Sequence, residues 1–182
     1  MVTPAGWPAV YDEEGLVATI REAISAVANR GDFYASTAGG PAFCQGDIIR
    51  FESGAPVIDE NGLAAEVGSF RYWLLLADTC DIDRTIADAT WIWMVPVNER
   101  PNGTDAELDA LRSYRLFRLF YLPRWPDAPD ATLVADLTNA VSLHKRALQT
   151  RMELVGRLSR AGWVLLHACV VRFLARGDNR WT

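Results

Sequence analysis

The stretch Asp78-Thr79-Cys80-Asp81-Ile82-Asp83-Arg84 sets one thiol among three carboxylates. Only a thiolate attacks or binds metal, and neighbouring carboxylates disfavour it by raising the thiol pKa. Cys80 is therefore a poor nucleophile unless Arg71 or Arg84 folds over it, and a structural cysteine is the alternative. Asp78, Asp81 and Asp83 offer oxygen ligands to a divalent cation. The spacing lacks the glycine and terminal glutamate of a calcium loop, so neither a metal site nor a cofactor is expected.

A second stretch, Arg112 to Trp125 (RSYRLFRLFYLPRW), interleaves cations with aromatics. That combination binds single-stranded nucleic acid, stacking bases on rings and pairing phosphates with charge. The competing reading is a strand with Leu116, Arg118, Phe120 and Leu122 inward and Arg115, Phe117, Leu119 and Tyr121 outward, leaving Arg124 and Trp125 as rim residues. There are two histidines. His144 stands beside Lys145 and Arg146, where it can either approach RNA or sit in a surface loop. His167, within WVLLHACVV, is expected in the core with a hydrogen-bond partner.

The elements that must position these groups follow from periodicity. Leu16, Ile20, Ala23, Ile24 and Val27 give an amphipathic helix over 15–29, and the small residues of 36–41 read as a linker. Short strands are expected at 48–51, 70–77, 90–97, 116–122 and 132–137, with a loop or hairpin between 52 and 68. Thr104 and Glu107 form a capping box for a helix over ELDALRSY. The chain closes with a short segment, 142–149, and a long helix from N-cap Ser159 to Arg176, ended by Gly177. Strands in sequence followed by helices argue for α+β with a small curled antiparallel sheet or barrel. The division is an N-terminal helix, 1–35, and a main domain, 42–177, with an insertion near 102–130.

Half the residues are hydrophobic and 23% are charged, which excludes a disordered chain or a coiled-coil rod. The longest uncharged run near the C-terminus, Ala161 to Val171, is too short to span a bilayer, and the N-terminus lacks signal-peptide character. A cytoplasmic location is the expectation. Cys44, Cys80 and Cys169 are odd in number and widely spaced, as reduced thiols are. The net charge of −5 hides a split: residues 1–111 hold six cations and 18 acids, a balance of −12, and residues 112–182 hold 12 and five, a balance of +7. Either the positive half offers a surface to phosphates, or the two halves neutralise each other.

The order of segments GDIIRF, FRYWLLLADTCD, TWIWMVPVN, VADLTNAVSLHKRAL and VGRLSRAGWVLLHACVVRFLA resembles the PemK/MazF family of toxin-antitoxin endoribonucleases, from about Gln45 to Ala175. The resemblance implies an SH3-like barrel with a C-terminal helix, usually as a homodimer. It also implies metal-independent cleavage of single-stranded RNA in growth control or phage defence, restrained by a cognate antitoxin. It puts Arg71 at the position of the family's signature arginine and Asn98 where the family carries a hydroxyl residue, so these two are the candidate catalytic residues. The alternative for Arg71 is an ion pair with Glu66 or Asp78. Gln45 and Val141 stand where the family has arginines, while Ser142 keeps a hydroxyl. Arg124, Trp125, Ser142, His144 and Lys145 are the candidate RNA contacts, and Asp78, Cys80 and Asp81 a separate thiol and acid cluster. Because Asn98 cannot donate and accept as a hydroxyl does, a non-catalytic module that docks a protein partner is the rival reading.

Overall fold

Alternation of side chains decides which residues of this chain lie under helices and which lie on the opposite face. The computed structural model describes residues 13–30, 33–38, 42–52, 54–58, 64–67, 70–100, 103–125, 130–150 and 152–174. Ten strands occur there: β1 (Tyr34–Ala35), β2 (Asp47–Phe51), β3 (Ala55–Ile58), β4 (Ala64–Val67), β5 (Tyr72–Leu75), β6 (Trp91–Glu99), β7 (Leu119–Leu122), β8 (Leu133–Asp136), β9 (Val141–His144) and β10 (Met152–Leu158). The helices are α1 (Glu13–Arg30), α2 (Thr79–Asp83), α3 (Asp105–Arg112), α4 (Arg146–Thr150) and α5 (Arg160–Leu174).

The main sheet has the order β1-β10-β2-β5-β6-β8-β7, with β9 also paired to β6, while β3 and β4 form a separate hairpin. All these pairs are antiparallel. The fold is therefore α+β with an antiparallel sheet, as expected. The sheet is not closed, because its two edges, β1 and β7, do not pair with each other.

Successive residues of a strand face opposite sides, and two cores result. Ile48, Leu74, Val95, Ala135 and Phe120 pack under α1 and α5 with Ile20, Leu165 and Leu166. Ile49, Trp73, Leu75, Ile92, Met94 and Leu143 pack on the other side with Ile82 of α2 and Leu148 of α4. A third, small cluster joins Leu111 of α3 to Leu119 and Val134, so Leu119 is buried where outward placement is expected. Trp125 packs against Gly156, where a Cβ would come within 2.6 Å of the ring.

Several elements differ from the sequence expectation. The strand at 116–122 begins only at Leu119, after a turn. Segment 142–149 divides into the end of β9 and the helix α4. Strand β10 is absent from the expectation, since its apolar residues match a helical stripe as well as a strand. The capping box at Thr104 and Glu107 forms as read, and the N–H of Gly162 donates to Ser159 Oγ at 3.2 Å. Gly177, Asn61 and Gly62 lie outside the described residues.

Strand β2 begins at a buried charge. Asp47 has no exposure and accepts from Arg157 Nε at 2.7 Å and from the terminal guanidinium nitrogen at 2.8 Å. Its carboxylate also accepts from the Cys44 N–H at 2.9 Å and from the Cys44 thiol at 3.2 Å. Removing the carboxylate takes its two charge-assisted hydrogen bonds from a buried guanidinium. Asp47→Ala should therefore destabilise the fold by about 3–5 kcal/mol in urea unfolding, and Asp47→Leu combined with Arg157→Met should recover much of the loss. Equal losses for single and double variants would show that the pair is not the source.

Candidate functional site

The candidate residues fall into three places. The first is the end of the β5–β6 ladder. Tyr72 pairs with Val97, so the register one step further sets Arg71 against Asn98. Arg71 is exposed, Asn98 is half-buried and pairs with Val134 of β8. The Arg71 guanidinium lies 5.1 Å from the centre of the Tyr72 ring, a cation–π contact. Arg71 makes no ion pair with Asp78 or any other acid among the described residues, and the Glu66 side chain lies outside them. An exposed arginine without a carboxylate keeps its fork of donors for an oxyanion.

The second place is the solvent-facing side of β6 and β9 at the other end. Trp91 pairs with His144 and Trp93 with Ser142, and directly opposed residues share one face of the sheet. Trp91 is 44% exposed and Trp93 is 59% exposed. The His144 ring meets Trp91 edge to face, with centroids 5.1 Å apart, and His144 Nδ1 accepts the Arg146 N–H at 3.2 Å. Two indoles, an imidazole and a hydroxyl thus stand on one surface. Sequence reasoning makes no separate assignment of the two tryptophans; the signal that marks them is the alternation Trp91, Ile92, Trp93, Met94, in which Ile92 and Met94 take the buried face. Asn98 has the opposite parity to Trp91 and Trp93 along β6, so the first two places are distinct.

The surface continues toward α5. Trp163 and His167, one turn apart, are both exposed, with rings 5.3 Å apart. This overturns the core placement of His167: Leu165, Leu166, Ala168 and Cys169 take the buried face of α5. Trp163 Nε1 donates to Gln45 Oε1 at 2.9 Å, and Gln45 Nε2 donates to the Leu76 carbonyl at 2.7 Å. The Leu76 N–H in turn donates to Trp93 O at 2.9 Å. Gln45 thus links α5 to the strand that carries Trp93.

The third place is α2. Asp78 is its N-cap, accepting the Cys80 N–H at 2.8 Å, and Asp81 pairs with Arg84 at 2.9 Å. No group able to hold a metal ion occurs among the described residues. The side-chain hydrogen bond to Asp78 and that carboxylate's charge push the Cys80 thiol up. Arg84 opposes this less strongly, and Arg71 is not among the groups acting on it.

Two candidate RNA contacts prove to be structural. Trp125 is 1% exposed and packs edge-on against Tyr34 and Tyr72. Lys145 is 5% exposed, and its ammonium donates to the Asp81 carbonyl at 2.8 Å and to the Arg84 carbonyl. Both corrections have a local cause. Arg124 takes a left-handed backbone conformation with φ of 48°, which turns the chain so that Arg124 is exposed while Trp125 enters the core. Lys145 follows His144 in strand alternation, so exposure of one buries the other. Ser142, His144 and Arg124 remain accessible.

Among the described residues, no helix is long and apolar enough to cross a membrane. Neither a family model nor a curated protein matches the chain. The PemK/MazF resemblance accordingly rests on the residues themselves.

Burial pushes the Cys44 thiol up to about 11, with the Asp47 hydrogen bond adding to it, and burial pushes Cys169 up to about 12. A raised pKa means less thiolate at any given pH. In native protein at pH 8, iodoacetamide should thus alkylate Cys80 more slowly than free glutathione despite its exposure, and Cys44 and Cys169 scarcely at all. Asp78→Asn should speed Cys80. Mass spectrometry of timed samples checks this, and a Cys80 faster than glutathione would revive a thiol nucleophile.

Proposed function

We propose that the protein acts on single-stranded RNA as a PemK/MazF-like protein of growth control or defence. In this reading its open antiparallel sheet is a variant of the family's SH3-like barrel. The observation that carries the proposal is the exposed Trp91–Trp93 pair with Ser142 and His144 directly opposite. Stacking on aromatic rings is worth about 1–3 kcal/mol per base and tolerates any base. Four arginines of the positive half, Arg112, Arg115, Arg118 and Arg124, are exposed and have no carboxylate partner among the described residues. They supply the phosphate attraction that stacking alone lacks. Arg71 is the group for cleavage: attack by a ribose 2′-hydroxyl builds charge on the phosphate oxygens, and an unpaired guanidinium stabilises it.

The second reading, a non-catalytic module of the same fold, is favoured by one observation. Asn98 replaces a hydroxyl, and the aromatic face lies on the other side of β6 from it. In both readings a homodimer and an antitoxin or other protein partner remain the proposed associations, and the cytoplasm the proposed location.

A fluorescently labelled mixed-sequence RNA should bind with an affinity that falls as salt rises. Trp93→Ala should weaken binding by about tenfold or more, as expected for one lost stack, with the circular dichroism spectrum unchanged. Absent binding at low salt would remove the RNA reading.

Induced expression should arrest growth, with Arg71→Ala relieving the arrest and abolishing cleavage of the same RNA without loss of binding. RNA that is bound yet left intact, together with harmless expression, would select the binding module.

A further inference from the structure

The chain has one lysine among its 18 cations, and that lysine is placed where a cation ordinarily needs an anion. Lys145 is 95% buried, yet no carboxylate pairs with it among the described residues. Two of its three ammonium protons go to the carbonyls of Asp81 and Arg84 at the end of α2. Among the described residues the third has no acceptor. Buried charges in proteins are ordinarily paired, and Lys145 lines a cleft of about 500 Å³. Phe43, Ile82, Ile86 and Leu148 give that cleft apolar walls, and Arg84 stands at it with one guanidinium nitrogen engaged by Asp81.

The geometry points to a binding site for a small monoanionic carboxylate with an apolar body, seated on the free Lys145 proton and held by Arg84. The walls are too apolar for a bare inorganic anion to gain from them, and Asp83 in the lining disfavours a doubly charged phosphate by like-charge repulsion. The site faces away from the tryptophan surface, because Lys145 and His144 alternate along the chain, and it stands without the RNA reading. A free carboxylic acid and a peptide C-terminus ending in an apolar residue share this chemistry.

Because there is one lysine, full-length protein labelled with 13C at lysine Cε reports the site through one side-chain signal. It would be titrated at constant ionic strength with isovalerate, with acetyl-Gly-Leu and with inorganic phosphate. A saturable shift with isovalerate assigns a free acid, one with acetyl-Gly-Leu alone assigns a chain terminus, and either supports the site. Arg84→Gln should weaken binding about tenfold, the loss of one charge-assisted hydrogen bond. Ile86→Trp should fill the cleft and abolish the shift while leaving the carbonyl bonds of Lys145 in place. Linear shifts with every probe, phosphate binding as tight as either carboxylate, or wild-type affinity in the folded variants would overturn the assignment. If Ile86→Trp does not fold, Arg84→Gln decides.

Discussion

The arrangement of strands hangs on one buried ion pair. Asp47 and Arg157 are direct partners across β2 and β10, and the carboxylate is filled by four donors from Arg157 and Cys44. Desolvating two charges costs several kcal/mol and is offset only when every lone pair and proton finds a partner. That demand makes the pair a register lock: a slip of one residue would turn Asp47 to the other face and leave a charge unpaired. The Asp47 hydrogen bonds hold the neighbouring turn as well. Gly46, with φ of 88°, donates its N–H to the Leu75 carbonyl at 2.9 Å and accepts from the Leu158 N–H at 3.2 Å. The N–H of Gln45 reaches Thr79 Oγ1 at 3.1 Å. Strands β5 and β10 and helix α2 therefore converge on the first residues of β2, and the Asp of the Gly-Asp-Ile motif is structural.

Strand β6 then divides the molecule into a covered half and an open half. Its C-terminal half pairs with β8, and Val95 and Val97 lie in the core under α1 and α5. Its N-terminal half pairs with β9, beyond the helices, so the residues of the same parity, Trp91 and Trp93, meet solvent. Exposed indoles cost hydrophobic free energy that smaller polar residues would not, and two of them beside His144 and Ser142 are the surface on which the proposed RNA contact rests. The interruption between β8 and β9, a 3-10 turn over Leu137–Asn139 capped by the Asp136 side chain, lets one edge of β6 serve two partners in sequence.

Fold class, the capping box, the outer helices and most strands were legible because period and punctuation are local. What was not legible depends on distant partners. Strand β10 receives no assignment from the sequence, because the partners that fix it, Trp125 against Gly156 and Asp47 against Arg157, are distant along the chain. The acidic run 78–84 reads as a chemical cluster, yet Asp78 caps α2, Asp81 pairs with Arg84 and Lys145 closes its end. His167 sits in an apolar run that nevertheless has one exposed helical face. Of the candidate site, Ser142, His144, Arg124 and Arg71 are accessible as their types suggest, whereas Trp125 and Lys145 are claimed by packing. The tryptophans were overlooked because a hydrophobic strand gives no sign of which face its neighbours leave uncovered.

The charge split of the sequence admits two explanations, and the placement of the cations separates them. Mutual neutralisation requires arginines of the positive half to meet acids of the negative half. Asp47–Arg157 does this inside the fold, and Arg50–Glu153 crosses in the opposite sense. Arg172 is absorbed differently, donating to the Tyr114 carbonyl of the turn after α3. Arg112, Arg115, Arg118, Arg124 and Arg160 are exposed without a carboxylate among the described residues, and four of the five fall between the end of α3 and Trp125. Unpaired exposed arginines repel one another and gain nothing from the fold. Their concentration in one segment is the feature on which the proposed contact with a polyanion rests, since the internal ion pairs do not engage them.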